Sequence, residues 1–221
     1  SMSGLTHLER LDLNGNKLAE LPESIGSLKA LEKLDVGNNE LTNLPQSTGG
    51  LKALELLILN TNKLNKLPDL SGLTALIYLS LRENNLSQLP GLSSLTALEG
   101  LDLSKNCFTS LPDLSKLTAL KRFDLDNNEL IELPESIGGL KALERLELHN
   151  NKLTTLPKSI GSLTALEGLD LSDNELTELP DLSSLTALEE LNLDNNPLPN
   201  PPDLSSLTAL TSYTGPEELD K

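Results

Sequence analysis

The stretch that decides the fold runs from Leu98 to Ala119 and reads LEGLDLSKNCFTSLPDLSKLTA. Its frame, LxxLxLxxNxLxxLP, returns nine times between Leu8 and Ala209. Four copies have 23 residues and begin at Leu8, Leu31, Leu120 and Leu143. Five copies have 22 residues and begin at Leu54, Leu76, Leu98, Leu166 and Leu188. Repeats of this length predict a single elongated domain in which each repeat packs only on its neighbours.

The unit itself predicts a short strand followed by a tight return. Leu101 and Leu103 flank Asp102 at a period of two, which turns the leucines inward and the acid outward. After Pro112, which has no N–H to donate, Leu114 and Leu117 stand three residues apart and predict a helical or 3₁₀ turn. Because one coil cannot bury its own leucines, we expect the strands to stack about 4.8 Å apart in a parallel sheet.

This frame resembles the leucine-rich repeat over nearly the whole chain, and most closely the intracellular bacterial or plant type with mixed 22- and 23-residue repeats. The resemblance implies an α/β fold: a right-handed leucine-rich repeat solenoid with a curved parallel β-sheet on its concave face and 3₁₀ or short helical turns on its convex face. One asparagine recurs in every copy, as Asn16, Asn39, Asn62, Asn84, Asn106, Asn128, Asn151, Asn174 and Asn196. The resemblance implies that these amides form a stacked structural ladder, each bonding the turns above and below it.

Three segments follow from this frame. Residues 1–7 are interpreted as a cloning remnant and the tail of a truncated repeat, because residues 3–8 copy residues 71–76. Nine repeats fill residues 8–209, and residues 210–221 form a partial terminal coil and an acidic tail. A start in the middle of a repeat predicts that the chain was cut from something longer.

Charge limits the class of partner. The net charge of −16 repels nucleic acid phosphates and anionic lipid head groups, which leaves a neutral or basic protein. No apolar run is long enough to span a membrane, and no leader opens the chain. The single cysteine, Cys107, indicates a reducing compartment and hence the cytoplasm, with a secreted effector as the alternative. The oligomeric state is left open.

The sequence carries no pattern typical of catalysis. It has no glycine-rich phosphate loop, no HExxH and no CxxC, so no cofactor or metal residue is assigned. Cys107 and His149 stand two coils apart, about 9.6 Å at strand spacing, which is too far for a nucleophile and its base. We therefore expect a protein that is not an enzyme.

The outward residue after each strand centre forms an acidic column. It reads Asp12, Asp35, Ile58, Ser80, Asp102, Asp124, Glu147, Asp170 and Asn192. Like charges on neighbouring strands repel, and the cations two residues earlier offer an offset: Arg10, Lys33, Arg122 and Arg145. Two interpretations stay open, a solvated lattice that neutralises itself and a docking surface for a basic segment.

A group of apolar residues interrupts this charged face and indicates a binding surface more specifically than the acidic column does. Leu56, Ile58 and Tyr78 stand where other copies carry charged residues, and such clusters often mark protein interfaces. The predicted partner-binding residues are Leu56, Ile58, Tyr78, Ser80, Arg82, Asp102, Asp124, Glu147 and Asp170. In the second copy Thr48 replaces the usual Ile or Leu, which predicts a local weak point.

Three functions remain compatible with these patterns. The first is a non-enzymatic module that binds a protein through the concave face. The second is a recognition domain cut from a larger signalling enzyme or secreted effector, such as a kinase, a complex Ras-like GTPase or a ubiquitin ligase. The third is a structural or engineered scaffold, against which the irregular Thr48, Cys107, Phe108 and Tyr78 argue.

Overall fold

The computed structural model of the protein describes Met2 and residues 4–216; the acidic tail predicted after Pro216 lies outside the described residues. Ten three-residue strands form one parallel sheet in chain order. The strands are β1 (Arg10–Asp12), β2 (Lys33–Asp35), β3 (Leu56–Ile58), β4 (Tyr78–Ser80), β5 (Gly100–Asp102), β6 (Arg122–Asp124), β7 (Arg145–Glu147), β8 (Gly168–Asp170), β9 (Glu190–Asn192) and β10 (Ser212–Thr214). The expected solenoid is confirmed, with one strand per coil.

The strands pair in unbroken register. The buried central residue of each strand pairs with that of the next strand, as Leu101 does with Phe123. The outward residues on either side pair in the same way. Tyr213 continues this row in the partial terminal coil, where it pairs with Leu191. Equivalent residues of successive coils therefore form straight columns across the sheet.

The return legs differ between the two coil lengths. Within the described residues, 3₁₀ helices occur only in the 23-residue coils, at Glu23–Ser27, Gln46–Gly50, Glu135–Gly139 and Lys158–Ser162. In a 22-residue coil such as the third, the Asp69 carboxylate instead accepts the N–H of Ser71 at 2.8 Å and closes a tight turn. The expected helical turn is nevertheless present in both lengths, since the Leu73 N–H of the third coil donates to the Leu70 carbonyl three residues earlier (3.0 Å). Among the described residues, the longer coils alone extend this turn into a 3₁₀ helix.

The core is a stack of leucine layers with two aromatic substitutions. Phe108 and Phe123 take leucine positions and are fully buried. Thr48 is also fully buried, in the 3₁₀ helix Gln46–Gly50, and its hydroxyl has no hydrogen-bond partner. The hydroxyl is therefore desolvated, which is consistent with the local weak point that the sequence predicts here; the loss of stability itself stays a prediction. None of the described helices has the length and apolarity needed to span a bilayer.

The hydrogen bonds of the asparagine ladder connect each asparagine after the first to the coil before it, as Asn106 shows. The Asn106 amide donates to the Leu81 carbonyl of the preceding coil (2.9 Å) and to the Leu103 carbonyl of its own turn (3.0 Å), while its oxygen accepts the N–H of Leu86 (3.0 Å). The prediction that each amide bonds turns on both sides is corrected here: the amide reaches its own turn and the coil before it. Among the residues that the structure describes, Asn16 of the first coil donates only to carbonyls of its own turn.

Candidate protein-interaction surface

The outward side of the sheet, which we call the concave face, carries three columns of side chains. The first column precedes the buried strand centre, the second follows it, and the third lies two residues further on; in β5 and the residues after it these are Gly100, Asp102 and Ser104. The structure brings all the predicted partner-binding residues to this face. The first column holds Leu56 and Tyr78, the second holds Ile58, Ser80, Asp102, Asp124, Glu147 and Asp170, and the third holds Arg82.

Four acids stand side by side in the second column. Asp102 pairs with Asp124, Asp124 with Glu147, and Glu147 with Asp170, each on adjacent strands. Burial raises the pKa of Asp124, and the charge of Asp102 raises it further. Burial also raises the pKa of Glu147, to which the charges of Asp170 and Asp124 add. At Asp124 and Glu147, in the middle of the column, burial and the neighbouring charges therefore disfavour the ionised carboxylate.

Backbone N–H groups hold several of these acids in place. Asp102 accepts the N–H of Ser104 (3.0 Å), Asp124 that of Asp126 (3.0 Å), and the Asp170 carboxylate that of Ser172 (2.8 Å). In each case the donor lies two residues after the acid, which is the geometry of an Asx turn. Each aspartate thus stabilises the backbone where the chain leaves its strand.

The first-column cations do not neutralise these acids by direct contact. Among the described residues, five ion pairs lie within 4.0 Å, and only Arg145 belongs to the first column. Its partner is Glu190, two strands away at 3.0 Å, and the side chain crosses Gly168 to reach it. Among the described residues, Arg10, Lys33 and Arg122 therefore make no direct ion pair with the acidic column, and the offset expected from the first-column cations stays a prediction.

The apolar group occupies β3 and β4. Leu56 pairs with Tyr78 and Ile58 with Ser80, and the three apolar side chains are partly exposed. The ring of Tyr78 extends from β4 over β5, where a Cβ on Gly100 would lie 2.6 Å from its Cδ2 atom. Burial raises the pKa of the Tyr78 hydroxyl, and the charge of Asp102 adds to this effect. The aromatic ring therefore links the apolar group to the acidic strip.

A depression of about 240 Å³ opens where the two meet. It is lined by Tyr78, Leu101, Asp102, Arg122, Phe123, Asp124, Arg145 and Glu147. Sequence reasoning missed this depression and the contribution of Gly100. The signal that could have pointed to it is the glycine itself, since a strand interior disfavours glycine unless a neighbouring group approaches closely.

The third column contributes two sets of polar contacts. Arg82 donates to the Ser104 hydroxyl (3.0 Å), which in turn donates to Asp102 (2.6 Å). Asp126 accepts the backbone N–H of His149 (2.7 Å), yet burial, followed by the charge of Asp124, raises the pKa of Asp126 to about 7. This carboxyl is the most strongly perturbed acid on the concave face.

The contacts of His149 do not form a catalytic relay. Its Nδ1 atom lies 3.0 Å from the Ser172 hydroxyl and 3.3 Å from the Asp173 carboxylate, so both contacts use one ring nitrogen. A relay needs the hydroxyl and the carboxylate on opposite nitrogens. Within the described part of the chain, no group of three His, Cys, Asp or Glu side chains is arranged to hold a metal ion.

Comparisons with known proteins agree on the family. A family model described as "Leucine-rich repeat region" matches residues 1–103 and 79–213. The structure is similar to a leucine-rich repeat protein of Leptospira interrogans, with 39% identity over 97% of this chain and a TM-score of 0.92. It is also similar to the functional domain of InlJ from Listeria monocytogenes, which includes a cysteine ladder (32% identity, 96% of this chain, TM-score 0.84).

A third similar structure comes from a plant. It is the ectodomain of the membrane receptor kinase GASSHO1/SCHENGEN3 of Arabidopsis thaliana in complex with CASPARIAN STRIP INTEGRITY FACTOR 2 (33% identity, 96% of this chain, TM-score 0.84). The chain spans 56%, 44% and 27% of the lengths of these three proteins, in the order given. No curated protein sequence matches the chain.

Proposed function

The chain belongs to the leucine-rich repeat family, and from that premise we propose that it is a protein-binding module whose partner docks on the concave face. One observation carries the proposal: the partly exposed apolar group Leu56, Ile58 and Tyr78 adjoins the four contiguous acids of the second column. An apolar anchor can supply affinity while nearby charges select and steer the partner. The surface combines both elements on rigid, hydrogen-bonded strands.

The partner is a neutral or basic protein segment. The net charge of −16 and the half-buried acids of β5 to β8 favour approach by positive charge. Apolar side chains from the same partner would cover Leu56 and Ile58, which are otherwise partly exposed to solvent. The Arabidopsis relative, a receptor ectodomain in complex with another factor, supports this mode of use.

A second candidate treats the chain as the recognition segment of a longer protein. The similar proteins are longer than this chain, and one of them is the ectodomain of a receptor kinase. On this candidate the concave face keeps its binding role, and any catalytic part lies elsewhere in the longer protein. The cytoplasm remains our proposed compartment, supported by the exposed free thiol of Cys107.

A displayed library of random peptides tests the binding proposal. The matched variant is Leu56→Lys with Ile58→Asp, which converts the sequence of β3 (LLI) into that of β2 (KLD) and leaves the net charge unchanged. Since β2 already folds with these side chains, the variant should keep the solenoid. Peptides selected on the wild type should lose binding to this variant and keep it on Ile131→Ala, which alters an exposed side chain outside the three columns.

Two outcomes would contradict the proposal. One is the selection of no peptide above background, and the other is a set of selected peptides that bind the β3 variant as tightly as the wild type. Circular dichroism on both variants should match the wild type, so that a loss of binding reports the surface rather than the fold. Enrichment of arginine or lysine among selected peptides would support the stated partner chemistry.

A further inference from the structure

The depression between β4 and β7 has one aromatic wall that is fixed in place. Gly100 leaves room for the Tyr78 ring to lie over β5, and the ring ends beside the Asp102 carboxylate, whose charge contributes to the raised pKa of Tyr78. Leu101 and Phe123, the buried centres of β5 and β6, form the floor. An elongated, partly apolar side chain would therefore find a flat ring on one side and an apolar base beneath it.

The opposite side of the depression presents carboxylate oxygens that lack protein partners. Among the described residues, the hydrogen bonds to Asp102 and Asp124 reach only the Oδ1 atoms, which leaves both Oδ2 atoms available. Within the described residues, no hydrogen bond or ion pair reaches the half-buried carboxylate of Glu147. Half-buried carboxylates without partners favour a cation that can bond them.

In the part of the chain that the structure describes, the nearby cations make no direct ion pair with these carboxylates. The side chain of Arg145 extends over Gly168 and forms an ion pair with Glu190 of β9, whose carboxylate offsets the charge of the guanidinium. Arg122 is exposed and makes no ion pair among the described residues. Arg145 also lines the depression and opposes the rise in the pKa of Glu147, and Arg82 opposes the rise in the pKa of Asp124. Among the described residues, however, no cation forms an ion pair with the carboxylates of Asp102, Asp124 or Glu147.

We infer that this depression is a subsite for an arginine side chain of the docked partner, an inference that rests on the proposed function. The guanidinium would stack on the Tyr78 ring and fork between the Asp102 and Asp124 carboxylates, which project from adjacent strands about 4.8 Å apart. Its aliphatic stem would cover the apolar floor. A lysine ammonium could reach one carboxylate but would forgo the stacking and the fork.

The chain itself indicates a suitable variant. Asn192 occupies the second column in β9 and accepts the N–H of Asp194 at 3.1 Å, as the aspartates of the other coils do with their own turns. Asp124→Asn should therefore keep its turn and lose only the charge. Asp12→Asn is the matched control, because Asp12 accepts the N–H of Asn14 at 3.0 Å in the same column but lies far from the depression, in β1.

The test is a nuclear magnetic resonance titration of the full chain with N-acetyl-arginine amide and its neutral isostere N-acetyl-citrulline amide, at physiological salt. The arginine derivative should cause saturable shifts in the amides of β4 to β6 and in the Tyr78 ring. The citrulline derivative should bind about tenfold more weakly, and Asp124→Asn should weaken arginine binding by about the same factor. Asp12→Asn should leave it unchanged, and N-acetyl-lysine amide should bind more weakly than the arginine derivative.

The inference is overturned by equal binding of the arginine and citrulline derivatives, by no saturable binding of either, or by equal effects of Asp12→Asn and Asp124→Asn. Its failure can be told apart from that of the proposed function. If the arginine derivative does not bind but the β3 variant still abolishes peptide binding, the concave face binds partners without this subsite. If the β3 variant keeps every selected peptide, the proposed docking surface itself is wrong.

Discussion

The ring of Tyr78 lies across Gly100, so close that a Cβ on residue 100 would stand 2.6 Å from Cδ2 of the ring. The same relationship recurs three strands later, where a Cβ on Gly168 would stand 3.0 Å from Nη1 of Arg145. A glycine in the first column thus allows the long side chain of the preceding strand to extend over its neighbour. On this face, glycine determines the direction in which an adjacent residue points.

Gly100→Ala should displace the Tyr78 ring. The added methyl would occupy the space of the ring, while the extended backbone of β5 tolerates alanine. Because burial is the main cause of the raised pKa of Tyr78, moving the ring into solvent should lower that pKa toward its ordinary value. Ultraviolet absorbance titration in a Tyr213→Phe background, which leaves Tyr78 as the only tyrosine, would measure it. Gly91→Ala is the control, since nothing lies within 4 Å of its Cβ position.

Loss of a ladder asparagine should be costly in the middle of the solenoid. Asn106→Ala removes bonds to two coils and leaves buried backbone groups without partners, for an expected loss of about 1–3 kcal/mol in the free energy of unfolding. Asn16→Ala should cost less, because Asn16 is exposed and bonds only its own turn. Urea denaturation compares the two, and equal losses would refute the bridging role of the ladder.

Thr48→Val should stabilise the protein. The substitution keeps the side-chain shape and removes a buried hydroxyl that bonds nothing, with an expected gain of about 1–3 kcal/mol. Thr118→Val, at an exposed position, should change stability little. Thermal and chemical unfolding of both variants provide the measurement; a destabilised Thr48→Val would mean that the hydroxyl has a partner in solution.

Two aspartates should give opposite pH dependences of stability. A carboxyl whose pKa is raised by folding binds its proton more tightly in the folded state, so Asp126 costs stability as pH rises from about 4 to about 7. Asp126→Asn should therefore be more stable than wild type above about pH 7, with the difference lost below about pH 4. The asparagine oxygen can still accept the N–H of His149.

Asp69 provides the contrasting case. The backbone N–H and then the hydroxyl of Ser71 lower the pKa of Asp69, so its ionised form stabilises the fold above its unfolded pKa. That stability is lost as pH falls through the lowered folded pKa. Asp69→Asn should be less stable than wild type at neutral pH and converge with it in acid. Urea midpoints across the pH range would compare the Asp69 and Asp126 variants, and two differences of the same sign at neutral pH would contradict one of the two assignments.

Binding kinetics should separate the apolar anchor from the acids. For a peptide selected on the wild-type surface, Tyr78→Ala should mainly raise the dissociation rate, at a cost of about 2 kcal/mol or more. Asp102→Asn combined with Asp124→Asn should mainly slow association and reduce its dependence on salt. Surface plasmon resonance at several salt concentrations resolves both rates. Identical rates in all three proteins would place the peptide elsewhere.

The sequence was sufficient to predict which side chains face outward, because alternation along a strand is a property of the backbone. Leu56, Ile58 and Tyr78 share the concave face as expected. The direction of each side chain within that face could not be predicted, since it depends on the size of a residue in another coil. The ion pair of Arg145 with Glu190, for example, passes over Gly168, where a Cβ would stand 3.0 Å from Nη1 of the arginine.

The coil interiors show a similar division. Leucine spacing predicted a helical turn in all coils, and both lengths have one, as the bond from the Leu73 N–H to the Leu70 carbonyl shows for the shorter coils. Which coils extend the turn into a 3₁₀ helix could not be predicted, because the spacing of the apolar residues is alike in both lengths. The asparagine period predicted a ladder, but its direction depends on how each amide is oriented relative to the stacked coils. The depression at Tyr78 combines residues of four coils, so no single repeat contains its pattern.

The extra residue of the longer coils is absorbed behind the sheet, and the strand register passes through both coil lengths without a shift. A whole coil could therefore be deleted, duplicated or exchanged in the gene, and the strands of the remaining coils would still pair in register. Removing residues 98–119, for example, would join Ala97 to Leu120 in frame and bring Arg122 beside Tyr78 in place of Gly100. Recombination between repeats could in this way change the order of residues on the concave face in one step, without any amino-acid substitution.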